Sequence, residues 1–239
     1  MLDFALVRTG TGQPVTCRRC SGVPDARTGD GDAIAAALDA VLAIAGSAGA
    51  PDILFAGGEP LALDEFVSLL ATARTAGSRR IGAVTGGAPL ADDDDAATFV
   101  RDGLRHLHVP LLGPDAAAHD ALLGSSGFDA SLAGMRAFRG AGAEQGVRTA
   151  LYGRIPVCSH TAPGLPETVS VFAREGAIAV ALQVRPEADV RRIAPWLVAA
   201  FETGLTNGVW VWIEGVESAT LGSAAMAVHA PVRAVEVDV

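Results

Sequence analysis

Short apolar runs alternate with longer segments of helical period along nearly the whole chain, and glycine or proline stands at almost every joint. This alternation constrains the fold more than any other feature, because it is the pattern of repeated parallel β/α units. Strands are expected over Leu2–Val7, Asp52–Phe55, Arg80–Val84, His106–Leu111, Val147–Tyr152, Ala177–Val184 and Val209–Ile213. Helices are expected over Asp32–Ala45, Leu63–Ala76, Phe128–Gly140, Leu165–Glu175 and Asp189–Thr203. Asp92 to Asp95 reads as a solvated helix start, where carboxylates meet the positive end of the helix dipole. A doubly wound open sheet and a barrel or part-barrel both fit, and in both the loops after the strands carry the chemistry.

Those loops hold Cys17 and Cys20, Gly57 to Pro60, Thr85 to Ala88, Gly113 to Asp115, and Arg154 to His160. Half of the 239 residues are hydrophobic, enough for a sizeable core, and no composition break marks a linker, so one domain over residues 1–239 is expected. The net charge of −9 disfavours a nucleic-acid partner. The chain has no apolar window of membrane-spanning length and no basic, then apolar, leader at its start, so a cytoplasmic protein without a membrane partner is expected. Three cysteines, two of them in Cys17-x-x-Cys20, argue against a secreted disulfide framework.

Gly57-Gly58-Glu59-Pro60 is the first candidate site. Paired glycines after a buried strand allow positive φ and close approach of backbone to ligand, and their exposed groups suit the amino or carboxylate group of a zwitterion. An ordinary strand-to-helix turn is the plainer alternative. Arg18 and Arg19 beside the cysteine pair favour thiolates, which suits metal binding or redox exchange. A thioredoxin-like role wants that pair to open a helix, whereas Ser-Gly-Val-Pro after it reads as loop. Cys158 and His160 follow the fifth strand and, with Cys17 and Cys20, would make a Cys3His zinc set; the alternative is a small buried thiol and a polar loop residue. His119 reads as an exposed turn residue, Arg154 as a surface cation, and Trp196, Trp210 and Trp212 as packing residues. His106 and His108 alternate on one strand and share a face.

Several segments together resemble the radical S-adenosylmethionine (SAM) superfamily. Phe55-Ala-Gly-Gly-Glu-Pro-Leu resembles its GGEP motif, and Ala83-Val-Thr-Gly-Gly-Ala-Pro-Leu90 is similar to its TTNGTLL turn. Val109 to Asp120 resembles VSLDGPDAEVHD, Gly127 to Gly142 resembles GSFERALEGIRALRAAG, and Leu182 to Pro186 is similar to LQIRP. The five pieces occur in the family's order over roughly residues 2 to 215, which makes the match specific. The resemblance implies a partial (β/α)6-type parallel barrel, open on one side, with SAM held by Gly57, Gly58, Glu59, Pro60 and Thr85.

The family's defining motif is C-x3-C-x2-C, three thiolates for a [4Fe–4S] cluster whose fourth iron takes SAM. Here Cys17 and Cys20 match the second and third positions and Gln13 stands at the first. An amide is a weak substitute for a thiolate. Pro110 and Leu112 stand where the family often has Ser and Asp, Gly86 replaces an Asn, and Leu123 replaces an Arg. The residues that shape turns are kept and several polar ones are lost. The reading is therefore a degenerate radical SAM-like protein that binds a small molecule, peptide or partner enzyme; a structural subunit of a hetero-oligomer, burying the barrel's open side, is a separate reading. The first alternative is an active radical SAM enzyme with Gln13, Cys158, His160 or an external group completing the ligand set. The second is a non-radical or zinc enzyme in the same pocket. No cysteine follows Ile213, so no auxiliary-cluster (SPASM-type) extension is expected.

Overall fold

A computed structural model describes residues 4–12, 14–15, 17–21, 27–45, 50–215 and 234–237; of residues 4, 20, 21, 27, 28, 45 and 234–237 it describes the backbone alone. Strand β1 (Phe4–Arg8) is followed by a two-stranded antiparallel ribbon, β2 (Gly10–Thr11) and β3 (Arg27–Thr28), with the one-turn helix α1 (Arg18–Ser21) between them. Five units then follow the helix α2 (Gly31–Ala45). They are β4 (Asp52–Ala56) with α3 (Phe66–Thr75), β5 (Ile81–Val84) with α4 (Asp93–Asp102), β6 (Leu104–Pro110) with α5 (Ala116–Leu123) and α6 (Phe128–Glu144), β7 (Ala150–Val157) with α7 (Leu165–Arg174), and β8 (Ala179–Val184) with α8 (Val190–Asn207). Strands β9 (Trp210–Glu214) and β10 (Ala234–Val237) complete the sheet.

The main sheet has the order β10-β1-β4-β5-β6-β7-β8-β9, and every neighbouring pair is parallel. Among the described residues β9 and β10 do not pair, so the curved sheet stays open there. Six successive strands, β1 and β4 to β8, each lead into a helix, which is the expected partial (β/α)6 barrel with one added strand at each edge. No helix of the described residues is long and apolar enough to cross a membrane.

Burial separates the two faces of this sheet. Outward residues such as Phe55, Ile81, Leu107, Leu151 and Leu182 are sealed beneath the helices, where Phe66, Phe138 and Phe172 are also fully buried. Phe66 is the hub of an edge-to-face series, 5.3 Å from Phe55 and 5.8 Å from Phe99 between ring centroids. Inward residues change character along the sheet. Leu6, Leu54, Ala56 and Val84 form an apolar patch on one side. On the other side His106 and His108 stack on Tyr152, at 5.6 and 4.5 Å. Burial and the nearby charges of Arg154 and His106 hold the His108 imidazole well below its usual 6.5, so that ring is neutral.

Local sequence explains most of the boundaries. Asp92 caps α4 by accepting from the Asp94 N–H at 2.8 Å, as its acidic run predicts, and Asp189 caps α8 through the N–H groups of Arg191 and Arg192. Helix α5 was not expected. Its signals are Asp115, which accepts from the Ala118 N–H, and Gly124, in the left-handed region after the last turn. Strand β7 runs five residues past its expected end, Tyr152, to Val157. Pro156 is tolerated because β6 pairs with β7 only as far as Pro110 opposite Arg154, so no ladder donor is required there. The cysteine pair sits at α1 rather than in a plain loop.

Truncation of Phe66 removes the hub of the outward aromatic cluster. Phe66→Ala is expected to cost about 3–5 kcal/mol, read as a lower urea midpoint with an unchanged slope.

Candidate functional site

The loops at the C-terminal ends of β1, β4, β5, β6 and β7 form one rim. One part of it is built on hydrogen bonds between the first two loops. The Thr9 N–H donates to Ala56 O at 2.8 Å, the Thr9 hydroxyl donates to Gly57 O at 2.6 Å, and the Gly58 N–H donates to Thr11 O at 3.1 Å. Gly57 and Gly58 both have positive φ, +100° and +59°. A Cβ on Gly57 would collide with the Gly10 carbonyl, so this crossing of two loops requires glycine. Pro60 then starts a short 3-10 turn, Pro60–Ala62.

This turn aims Glu59 across the rim at the β5 loop. Glu59 Oε2 accepts from the Gly86 N–H at 2.8 Å, and the Thr85 hydroxyl also reaches the carboxylate. Thr85 is fully buried and its Oγ1 accepts from the Gly87 N–H at 3.0 Å. Gly87 lies at φ +87°, and Gly134 of α6 packs so closely on its carbonyl that a Cβ there has no room. Ser131 of the same helix donates to Gly86 O at 2.6 Å. Burial raises the Glu59 carboxyl above its ordinary 4.5, while bonds from Thr85 and from the Gly86 and Leu61 N–H groups pull the other way. Its second oxygen, Oε1, is buried with no hydrogen-bond partner among the described residues. A buried acceptor left open beside two positive-φ glycines fits a cationic amino group.

The sulfur side of the rim differs. Cys17 is 2% exposed and Cys158 3%, and both pack in one small cluster with Val15, Leu112 and Leu122, with Leu123 against it. Cys158 is disulfide-bonded, so two of the chain's sulfur atoms meet at this rim. Gln13 lies outside the described residues, as does the side chain of Cys20. His160 stands exposed on the loop, its Nδ1 3.4 Å from Ser159 Oγ, and is not gathered with Cys17 and Cys158. Among the described residues no group of three or more His, Cys, Asp or Glu side chains could hold a metal ion. The described donors therefore fit an amino group at Glu59 and fall short of the thiolate set of an iron–sulfur cluster.

The chain matches no protein-family model. Over 102 residues it is 33% identical to the AdoMet-dependent heme synthase of Nitratidesulfovibrio vulgaris, a match covering 42% of this chain and 27% of that protein. Streptococcus suis SuiB bound to S-adenosylmethionine superposes on 93% of the chain with a TM-score of 0.66 and 14% identity, covering 49% of SuiB. Methylornithine synthase (PylB) superposes on 98% of the chain with a TM-score of 0.62 and 12% identity, covering 71% of that protein. A radical SAM methyltransferase from Sphaerobacter thermophilus gives a TM-score of 0.58 at 18% identity, over 87% of this chain and 65% of the other. The chain has the radical SAM fold. It spans about half the length of SuiB, and the matched segment is about a quarter of the heme synthase.

Within the radical SAM fold, several residues stand elsewhere than the sequence suggested. His119 is not an exposed turn residue. It is fully buried in α5, its Nδ1 accepts from the Leu112 N–H at 3.1 Å, and its Nε2 has no hydrogen-bond partner among the described residues. Burial lowers its pKa against the pull of Asp120, whose Oδ1 accepts from the Gly127 and Phe128 N–H groups at the start of α6. Arg154 is not a surface cation. It lies on the inner face, donates to Gln183 at 3.2 Å and pairs with Glu214 at 3.6 Å. Gln183 and the Trp212 indole also donate to Glu214, at 2.8 and 2.9 Å. Trp196 and Trp210 are exposed rather than packed, at 41% and 75%. The Arg154–Gln183–Glu214–Trp212 network escaped the sequence reading. The period-two placement of Arg154, Gln183 and Glu214 on three strands was its available signal.

Two measurements test this site. Because the folded state raises the Glu59 pKa, Glu59 favours folding less as pH rises through that range, so Glu59→Gln is expected to be more stable than the parent at neutral pH. The gain should shrink as pH falls toward the ordinary glutamate value; urea unfolding across pH reads it. Gly57→Ala is expected to cost at least about 1–2 kcal/mol, since it adds the loop collision to the left-handed penalty, and a thermal scan reads the loss.

Proposed function

We propose that this chain is a radical SAM-type protein that does not cleave SAM and acts by binding. Its ligand would be a small molecule or a peptide carrying an amino group, held at the rim and presented to a partner enzyme. The single observation that carries this reading is the apolar enclosure of Cys17 by Val15, Leu112, Leu122 and Cys158. Leu112 and Leu123 occupy two places that are often polar in the resembling family, and both belong to this enclosure. With Gln13 where the first thiolate is expected, the sulfur set is one short of the motif.

Retention of the glycine-rich loop supports a binding role. Glu59 keeps a buried, open acceptor, and the inner face beyond it carries Arg154, Gln183, Glu214, Tyr152 and His108 within a sheet that is open at one edge. The solved structure of SuiB with its precursor peptide SuiA, similar to this chain at a TM-score of 0.67, is in keeping with a peptide occupant. When bound, a cluster would supply an electron for reductive cleavage of SAM, and this reading leaves that chemistry out.

Anaerobic reconstitution with iron and sulfide tests the proposal. The expected outcome is well under about four irons per chain and no 5′-deoxyadenosine on reduction with SAM. Four irons with 5′-deoxyadenosine would overturn it in favour of an active enzyme. One observation favours that second reading: Cys17 and Cys158 share a cluster, and a further sulfur bonds Cys158. In an active enzyme Cys158→Ala should abolish both iron retention and 5′-deoxyadenosine, whereas under the binding reading the iron content is unchanged.

A further inference from the structure

At the opposite end of the barrel, before β5 and β6, lies a cavity of about 340 Å³ lined by Arg74, Gly77, Ser78, Arg79, Ile81, Gly103 and Arg105. Three arginines line it and no acidic residue does, in a chain whose net charge is −9. Two acids adjoining this region in sequence have other partners: Asp52 pairs with Arg80 at 2.7 Å, and Asp102 with Arg101 at 3.7 Å. Arg79 makes no side-chain hydrogen bond or ion pair among the described residues. Arg74 gives one N–H to Arg101 O, and Arg105 uses only its first terminal nitrogen, on Val100 O and Leu104 O. Capping the end of α4 thus occupies a minority of the N–H groups on these three side chains.

A second feature lies in the same cavity. Ser78 is 4% exposed, and its hydroxyl is buried with no hydrogen-bond partner among the described residues. A buried hydroxyl left unpaired is unfavourable unless something fills the site and bonds it. Gly103, at φ +124°, leaves space where a side chain would approach Arg74 and Ile81. Burial and the like charge of Arg74 both lower the Arg105 pKa, so the cations crowd one another without a counter-charge.

We propose that this cavity is a binding site for a phosphate group, free or on a small ester, with Arg74, Arg79 and Arg105 as charge partners and Ser78 Oγ as a hydrogen-bond donor. Planar guanidiniums pair with tetrahedral oxyanions through two parallel N–H bonds, and a dianion balances three clustered cations better than a single carboxylate does. The site is separate from the rim and does not depend on the function proposed for it.

Titration calorimetry of the full chain with inorganic phosphate, at ionic strength held constant with chloride, tests the site. Citrate serves as the carboxylate arm. One saturable phosphate site per chain is expected, with citrate weaker. Arg79→Ala, at an exposed position, should fold normally by circular dichroism and weaken phosphate about tenfold or more. Ser78→Ala should weaken phosphate severalfold while leaving the ligand-free thermal midpoint equal or higher, because it removes an unsatisfied hydroxyl. A purely structural serine would not give that pairing. Absence of saturable binding, citrate binding as tightly as phosphate, or parental affinity in both variants would each overturn the proposal.

Discussion

The rim is organised by the close crossing of the β1 and β4 loops, where Gly57 meets the Gly10 carbonyl and the Thr9 hydroxyl holds Gly57 O. From that crossing a belt of short contacts runs around the strand ends. Gly58 is held by Thr11, Glu59 reaches Gly86, Ser131 grips Gly86 O, and Gly134 closes on Gly87. Almost every link uses a backbone carbonyl or N–H and a residue chosen for its small size or its turn. None of the belt's contacts involves a sulfur atom. A chain can therefore keep this rim, and the order of its loops, while the ligand set for a metal cofactor changes. That separation leaves the shape-determining glycines of the rim independent of the sulfur atoms beside them.

The outward face of the sheet was legible in the sequence because one requirement governs it. Each strand must bury a run of apolar side chains under the following helix, so parallel direction and most boundaries follow from the β/α alternation, whereas the strand order that separates a part-barrel from a doubly wound sheet does not. Helix α5 was not legible, since alanine-rich Ala116–Leu123 offers only Leu122 and Leu123 as periodic large apolar residues, and its caps carry the signal instead. Strand β10 pairs with β1 at the other end of the chain, Ala234 lying opposite Phe4, 230 residues earlier. Pairing over such separation depends on tertiary placement and leaves no local pattern.

The candidate site divides along the same line. Gly57 and Gly58 were legible as a tight turn because positive φ calls for glycine, whereas a ligand-holding role for them, Glu59, Pro60 and Thr85 came from the resemblance. His119 and Arg154 were misplaced because burial of a polar residue depends on partners far away in sequence. His119 is accounted for by the Leu112 N–H, and Arg154 by Gln183 and Glu214 from two later strands. The alternation of inward and outward residues could identify the face, but not the partners across it.

The two ends of the barrel follow from the same geometry used differently. At the C-terminal end the strands deliver backbone N–H and C=O groups into loops that cross, and Glu59 Oε1 is buried there with no hydrogen-bond partner among the described residues. At the N-terminal end the chain arrives from helix C-termini, whose carbonyls attract guanidiniums. Arg74 and Arg105 are drawn to the end of α4 for that reason, and Arg79 joins them at the turn into β5. Helix ends on one side and strand ends on the other therefore give one scaffold a buried carboxylate at one end and an arginine-lined cavity at the other. The polarity comes from chain direction, so it holds whether or not the sulfur rim carries a metal.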